Sequence, residues 1–351
     1  MPTISANDPC VSCSGRIARQ ENGVHFYWAA SSATVHFTGT ELSATVSCNS
    51  IWGSNALGLV VDGRLSKVPV QKENNGKSMT FLLANGLEAD REHTAILYKR
   101  LDSSYDYVVE AFTCDGDFLP APPKPDLRLE FYGDSVTSGA CIECVDYVGH
   151  PDPCSNDSSY DNSWFGYAWQ TARALNADVH TISQGGIAVF NGTGYFHMPE
   201  TIGMEDSWDK LCYFPEGGEI TEWDFSRYIP DIVVFALGQN DHHDAVNNTD
   251  DLTVAGPDYR AKWQNGYKQM VRSLAAKYPA CTKYVFMTTV LMHDKCWDDA
   301  IGEIVRDLQA EGLQAAQYLF RRNGAATPGH PRIPEHTEMA EELTAYIRTL
   351  L

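Results

Sequence analysis

Four residues suited to acyl transfer each follow a stretch that reads as a strand end or a loop before a helix: Ser135, Gly186, Asn240 and His330. A serine hydroxyl attacks a carbonyl well only when a base takes its proton, and histidine titrates in the right range to do so. The oxyanion that results needs fixed donors. A backbone N–H beside a glycine can approach closely, and the Asn240 amide is a neutral donor at any pH. Singly, each motif has a plain structural explanation. Gly133-Asp134-Ser135 can be only a turn with Asp134 as a helix cap. Gly238-Gln239-Asn240-Asp241 can be only a helix start, and His330 only a surface histidine. Together, in this order, they point to one site.

The elements that must position them alternate. Residues 127–132, 178–183, 231–237, 284–291 and 317–320 read as strands. Helices are expected over 164–175, 259–278, 301–315 and 335–350. This alternation predicts a parallel α/β sheet with helices on both faces. Ligands of such a sheet bind beyond the carboxyl ends of its strands, where all four residues fall. Residues 187–230 are irregular, aromatic and acidic, too long for an ordinary connection, and read as a functional loop. Upstream the pattern differs. Residues 33–38, 42–47, 57–62 and 94–98 are short β-rich runs separated by turn signals, which predicts an all-β sandwich. The segment 119–125 holds four prolines and reads as a stiff linker. The expected division is a β-sandwich over 1–119, a linker over 120–125 and a catalytic α/β domain over 126–351.

The same motifs resemble the SGNH/GDSL hydrolase superfamily. Gly133-Asp134-Ser135 matches its nucleophile block, Gly186 its glycine block, Gly238-Gln239-Asn240-Asp241 its asparagine block and His330-Pro331 its histidine block. The upstream half resembles carbohydrate esterase family 2 through Gly15-Arg16-Ile17, residues 35–40, Val61-Asp62-Gly63, His93-Thr94 and Lys99-Arg100-Leu101-Asp102. The resemblance implies a jelly-roll-like sandwich before an SGNH domain. It also implies a serine esterase that removes O-acetyl groups from plant polysaccharides such as xylan or glucomannan, with neither metal nor organic cofactor. Ser135 is then the nucleophile and His330 the base. The Ser135 N–H, the Gly186 N–H and the Asn240 side chain form the oxyanion hole, with Gly185 the alternative to Gly186. The rival readings are a lipase or thioesterase on the same scaffold, and an inactive carbohydrate-binding protein.

The sequence departs from that pattern before the histidine. Where an aspartate usually stands two or three residues upstream, it has Pro328 and Thr327. The expectation is a Ser–His pair oriented by a backbone carbonyl, or by Asp294 from a neighbouring strand. Gly329 stands where some relatives carry Trp. His242, His293, Trp208 and Trp297 are candidate substrate contacts, with Trp223 a further aromatic. Cys141, Cys144, His150 and Cys154 have zinc-binding types at a spacing that is not a recognised zinc pattern.

Composition narrows the partners. The 351 residues carry a net charge of −20, divided as −3 over residues 1–125 and −17 over 126–351. Nucleic acid and anionic membrane both need a basic face and are excluded as partners. No run approaches the roughly 18 apolar residues of a membrane span. A neutral acetylated polysaccharide or oligosaccharide suits the acidic catalytic half. Residues 1–5 lack the pattern of a secretory signal. The expectation is nevertheless a secreted or cell-surface protein, its signal already removed, with the cytoplasm the alternative. Ten cysteines in a chain this long leave the compartment open.

Overall fold

A computed structural model describes residues 1–50, 52–54, 56–102, 105–154, 157–287, 295–322 and 327–351. The first part of the chain is built of strands β1 (Thr3–Ser5), β2 (Val11–Ser14), β3 (Ile17–Gln20), β4 (Gly23–Phe26), β5 (Ser32–Phe37) and β6 (Glu41–Ser50). They are followed by β7 (Ala56–Val61), β8 (Arg64–Pro69), β9 (Met79–Asn85), β10 (His93–Lys99), β11 (Tyr105–Cys114) and β12 (Phe118–Leu119). One antiparallel sheet runs β3-β4-β11-β6-β9, with β1 also on β11. The other runs β12-β5-β10-β7-β8, with β2 also on β5. Alternation along β5 turns Ala33, Val35 and Phe37 inward. They meet Leu42, Ala44 and Val46 of β6 in one apolar core between the sheets.

After the proline-rich stretch come β13 (Arg128–Gly133), α1 (Ser135–Ser138), α2 (Tyr167–Leu175), β14 (Asp178–Ser183), α3 (Met204–Ser207), β15 (Lys210–Cys212) and β16 (Thr221–Glu222). The rest is β17 (Ile232–Ala236), α4 (Pro257–Ala275), β18 (Lys283–Met287), α5 (Lys295–Ala310), β19 (Gln314–Tyr318) and α6 (Ile333–Arg348). The main sheet is parallel, in the order β14-β13-β17-β18-β19. The central strand β17 is buried along its whole length, which requires apolar residues on both faces. Val233 and Phe235 face Trp263 and Tyr267 of α4 and Ile301 and Ile304 of α5. Ile232 and Val234 face Tyr167 of α2 and Met339 and Leu343 of α6. Helices therefore cover both faces. No helix among the described residues is long and apolar enough to cross a membrane.

Two expected elements lie earlier in the chain than the sequence suggested. The helix expected over 301–315 is α5, and the strand expected over 317–320 is β19. Gly312, at φ +95°, turns the chain out of the helix, and Leu313 N–H closes the turn on Leu308 O at 3.0 Å. The helix expected from residue 164 starts at Tyr167, after a 3-10 turn over Ser163–Phe165. Residues 288–291 of the expected strand 284–291 lie outside the described residues.

A buried ion pair ties the two parts together. Arg16, at the mouth of β3, and Glu130 of β13 are both solvent-inaccessible and meet at 3.1 Å. The guanidinium also donates to Tyr132 Oη and Trp208 O, each at 2.6 Å. Tyr278 and Tyr132 hydroxyls donate to Glu130 Oε2 at 2.6 and 3.1 Å. Such a pair stabilises only while complete, because removing one partner strands the other charge out of water. Glu130→Gln should lose roughly 3–5 kcal/mol of unfolding free energy in urea melts. A double replacement of Arg16 and Glu130 by apolar residues of similar volume should recover much of that loss.

Candidate active site

Ser135 begins α1 directly after β13, so its side chain stands at the carboxyl edge of the parallel sheet. The preceding residue holds the turn. Val136 N–H donates to Asp134 Oδ1 at 3.0 Å, a helix cap. The Gln239 amide donates to both Asp134 oxygens at 2.9 and 3.0 Å, joining the serine turn to the loop after β17. Asp134 is fully buried, and burial pushes its carboxyl up to about 6 against those donors.

His330 Nε2 lies 2.8 Å from Ser135 Oγ. Its Nδ1 lies 2.7 Å from Asp152 Oδ2, and its backbone N–H donates to Asp152 Oδ1 at 3.1 Å. Where a backbone carbonyl or Asp294 was expected to orient His330, Asp152 does so instead, giving a Ser–His–Asp chain. The carboxylate comes from the loop between α1 and α2, 178 residues before the histidine. Asp294, the expected source, lies outside the described residues, as does His293. Gly329 explains the approach: at φ +90° a Cβ there would lie 2.7 Å from Asp152 Oδ1. A bulky residue at 329 and this aspartate could not share the space.

Burial opposes the Asp152 charge, but the His330 hydrogen bonds and the Arg332 guanidinium outweigh it and hold the carboxyl well below its usual range. Arg332 Nη2 is 2.9 Å from Asp152 Oδ1. An ionised carboxylate only accepts, so Nδ1 carries the proton and Nε2 is left to accept from serine. Glu335 secures the histidine loop, taking Arg332 N–H at 2.8 Å and Thr327 N–H at 2.9 Å.

The candidate oxyanion donors are decided by what each N–H already does. Gly185 N–H donates to Asp102 Oδ2 at 2.8 Å, so it is engaged. Asp102 lies in the connection between β10 and β11, and thus comes from the sandwich. Ser135 N–H and Gly186 N–H have no acceptor among the described residues. Gly186 O takes the Tyr195 and Phe196 N–H groups at 2.8 and 3.1 Å, which sets its peptide in place. Asn240 Nδ2 donates to Ile187 O at 2.9 Å and keeps a second hydrogen. Asp241 beneath it accepts from Val189 N–H and Trp263 Nε1, each at 2.9 Å.

Around this group, His242 is partly exposed, with Nδ1 2.8 Å from Gln239 O and Nε2 3.3 Å from the Tyr195 hydroxyl. Tyr195, missed in the sequence, is 40% exposed and stacks on His243 at 4.1 Å. Trp208 and Trp297 are corrected. Trp208 packs on Phe225 and Trp297 on Trp263, within one apolar core. Buried rings offer no face to a sugar, so neither is a substrate platform. Cys141 Sγ, an Asp152 oxygen and a His330 nitrogen lie within 4.8 Å of one another and could together hold a metal ion. Of the zinc candidates, His150 and Cys154 are exposed and stand outside that group.

Residues 13–123 match the family model described as carbohydrate esterase 2 N-terminal. The chain is 30% identical to the cellulase/esterase CelE of Acetivibrio thermocellus over 99% of its own length, and spans 40% of the length of that relative. It is 26% identical to the acetylxylan esterase / glucomannan deacetylase of Cellvibrio japonicus, covering 99% of this chain and 91% of that one. A solved family two carbohydrate esterase from Clostridium thermocellum, in complex with cellohexaose, superposes with a TM-score of 0.79 at 27% identity. The likeness covers 97% of this chain and 98% of that one. Fold and site together are those of a serine-hydrolase type of protein. Within that class, residues 13–123 match the family 2 carbohydrate esterase N-terminal model, and the whole chain is similar to family 2 carbohydrate esterases.

Two outcomes follow from the site's charges. Asp152→Asn should lower kcat roughly 10³–10⁴-fold with little change in KM, because the imidazole loses its tautomer and its counter-charge; steady-state kinetics measure this. Burial raises Asp134 to about 6 and Asp161 and Asp241 to about 7. Their unfolded values lie near 3.9. Between those limits the native state binds more protons than the unfolded state, so stability falls as pH rises. Melting should therefore occur at a higher temperature at about pH 5.5 than at about pH 7.5. Asp241→Asn should flatten that slope in differential scanning fluorimetry.

Proposed function

We propose that this protein is a serine esterase that removes O-acetyl groups from plant polysaccharides or their oligosaccharides, xylan and glucomannan among them. The observation that carries the reading is the chain Ser135 Oγ to His330 Nε2 at 2.8 Å and His330 Nδ1 to Asp152 at 2.7 Å, beside free N–H donors. Ser135 attacks the acetyl carbonyl as His330 takes its proton. Asp152 holds the imidazolium that forms. The oxyanion lies among Ser135 N–H, Gly186 N–H and the Asn240 amide. Proton return from His330 releases the sugar hydroxyl, and water activated by the same base then frees acetate. Support for a glycan substrate comes from the Cellvibrio relative, named as an acetylxylan esterase and glucomannan deacetylase, and from the bound cellohexaose of the Clostridium structure. Tyr195, exposed beside Gly186, offers an aromatic face for a sugar ring.

The same reading covers the architecture. The division 1–119, 120–125 and 126–351 separates a scaffold from an SGNH-type catalytic unit. The strand orders β4-β11-β6-β9 and β5-β10-β7-β8 support a jelly-roll for the scaffold, since successive strands cross between the sheets in the two-Greek-key manner. A polymeric substrate fits work outside the cell or at its surface.

Acetate release from acetylated xylan, glucomannan and cello-oligosaccharides tests the proposal. The expected result is release by the wild type and loss of at least roughly 10³-fold in Ser135→Ala. Rates that rise with acyl chain length on 4-nitrophenyl esters would instead assign a lipase or thioesterase. Absence of Ser135 labelling by a fluorophosphonate, together with no release, would leave a binding protein.

A further inference from the structure

Away from the serine edge, a cavity of about 330 Å³ opens between β2 and β3 of the sandwich and β14 with the segment 223–228. It stands out in a protein of net charge −20 because its walls are cationic. Arg19, Arg227 and Lys124 line it. Lys124 is neutralised by Asp178 at 2.8 Å. Arg19 and Arg227 have no carboxylate within ion-pair distance among the described residues. Arg19 Nη1 donates to Ala6 O at 3.2 Å, and Arg227 Nη2 to Ile17 O at 2.9 Å, both neutral oxygens. Burial and the neighbouring Arg19 both press down the Arg227 pKa, and the exposed Asp224 offsets this only in part. Two like charges thus stand together at the exposed rim of the cavity, with Asp224 the one acid among the described residues that acts on Arg227.

A second observation is independent of charge. The His180 and Trp223 side chains line the same cavity and are more than nine-tenths buried. His180 Nδ1 and Trp223 Nε1 find no hydrogen-bond partner among the described residues. An indole N–H can only donate, so this wall needs an acceptor. Burial, and then Arg16, Lys124 and Arg227, hold His180 well below the imidazole range, so its ring is neutral and can also offer one N–H. The two rings are fixed in place. Tyr228 stacks on His180 at 3.6 Å, and Arg227 lies over Trp223 at 4.6 Å. A buried indole N–H left without an acceptor, beside two guanidinium groups that have no ion pair, forms a pocket for negative oxygen atoms.

We propose that this pocket binds an oxyanion ligand, a carboxylate or phosphate group carried on a body no larger than a monosaccharide. The size follows from the cavity, which lies at the lower end of ligand pockets. The site is separate from the Ser135 chain and does not depend on the esterase reading.

Isothermal titration at constant ionic strength tests it, with sodium glucuronate, inorganic phosphate and sodium acetate as probes. The expected result is saturable binding of at least one probe, weakened about tenfold or more in Arg227→Gln and in Arg19→Gln. Trp223→Phe should weaken binding while keeping the ring. Tighter binding of glucuronate than phosphate assigns a sugar acid, and the reverse assigns a phosphate ligand. Hydrolysis of 4-nitrophenyl acetate should not change in Arg227→Gln. Near-ultraviolet circular dichroism checks that each variant keeps its packing, and Arg19→Gln serves if Arg227→Gln does not fold. Absence of saturable binding by all three probes would overturn the proposal. So would affinity unchanged in both folded arginine variants.

Discussion

The hydrogen bond between His330 Nδ1 and Asp152 is the constraint on which the site depends. It sets the tautomer that lets Nε2 face Ser135, and it sets the position of two loops 178 residues apart. Everything near it serves the approach. Gly329 leaves room for the carboxylate, Arg332 keeps it ionised, and Glu335 ties the histidine loop to the start of α6. A carboxylate beside the imidazole is what allows a serine of ordinary acidity to lose its proton in the transition state.

The sandwich is part of this geometry. Asp102, in the connection after β10, takes Gly185 N–H and thereby holds the residue before Gly186. Nearby, Ser163 N–H donates to Arg100 O at 2.7 Å, and Arg100 pairs with Glu143 at 2.8 Å. These contacts clamp the α1–α2 connection that also carries Asp152. With the Arg16–Glu130 pair at the other end of the junction, the two parts are joined by buried polar contacts that are costly to break. Relative motion of the parts would disturb the candidate oxyanion donors directly.

The acidity of the second part of the chain acts at two ranges. At long range it opposes polyanions, in keeping with the neutral glycan substrate proposed. At short range it is interrupted by the Arg19–Arg227 pocket, where neither arginine has an ion pair among the described residues. Net charge therefore describes encounter, while local charge describes binding.

The sequence by itself determined the strand–helix order and the places of Ser135, Gly186, Asn240 and His330. It could do so because strand ends in a parallel sheet share one edge, so residues that follow strands converge without further information. β17, as an unbroken apolar run, and α4, as a long periodic one, were legible from their local pattern. Boundaries at α5 and β19 moved by several residues because Gly312, rather than hydrophobic period, ends that helix. Only the tertiary structure decided which carboxylate meets His330, because Asp152 lies in an aperiodic loop whose path is set by contacts with Arg332 and Gly329. It likewise engaged Gly185 through Asp102, leaving the Gly186 N–H free. It also buried Trp208 and Trp297, whose composition alone suited a sugar platform equally well. Long-range pairing leaves no local pattern, since either partner alone satisfies the rules of its own segment.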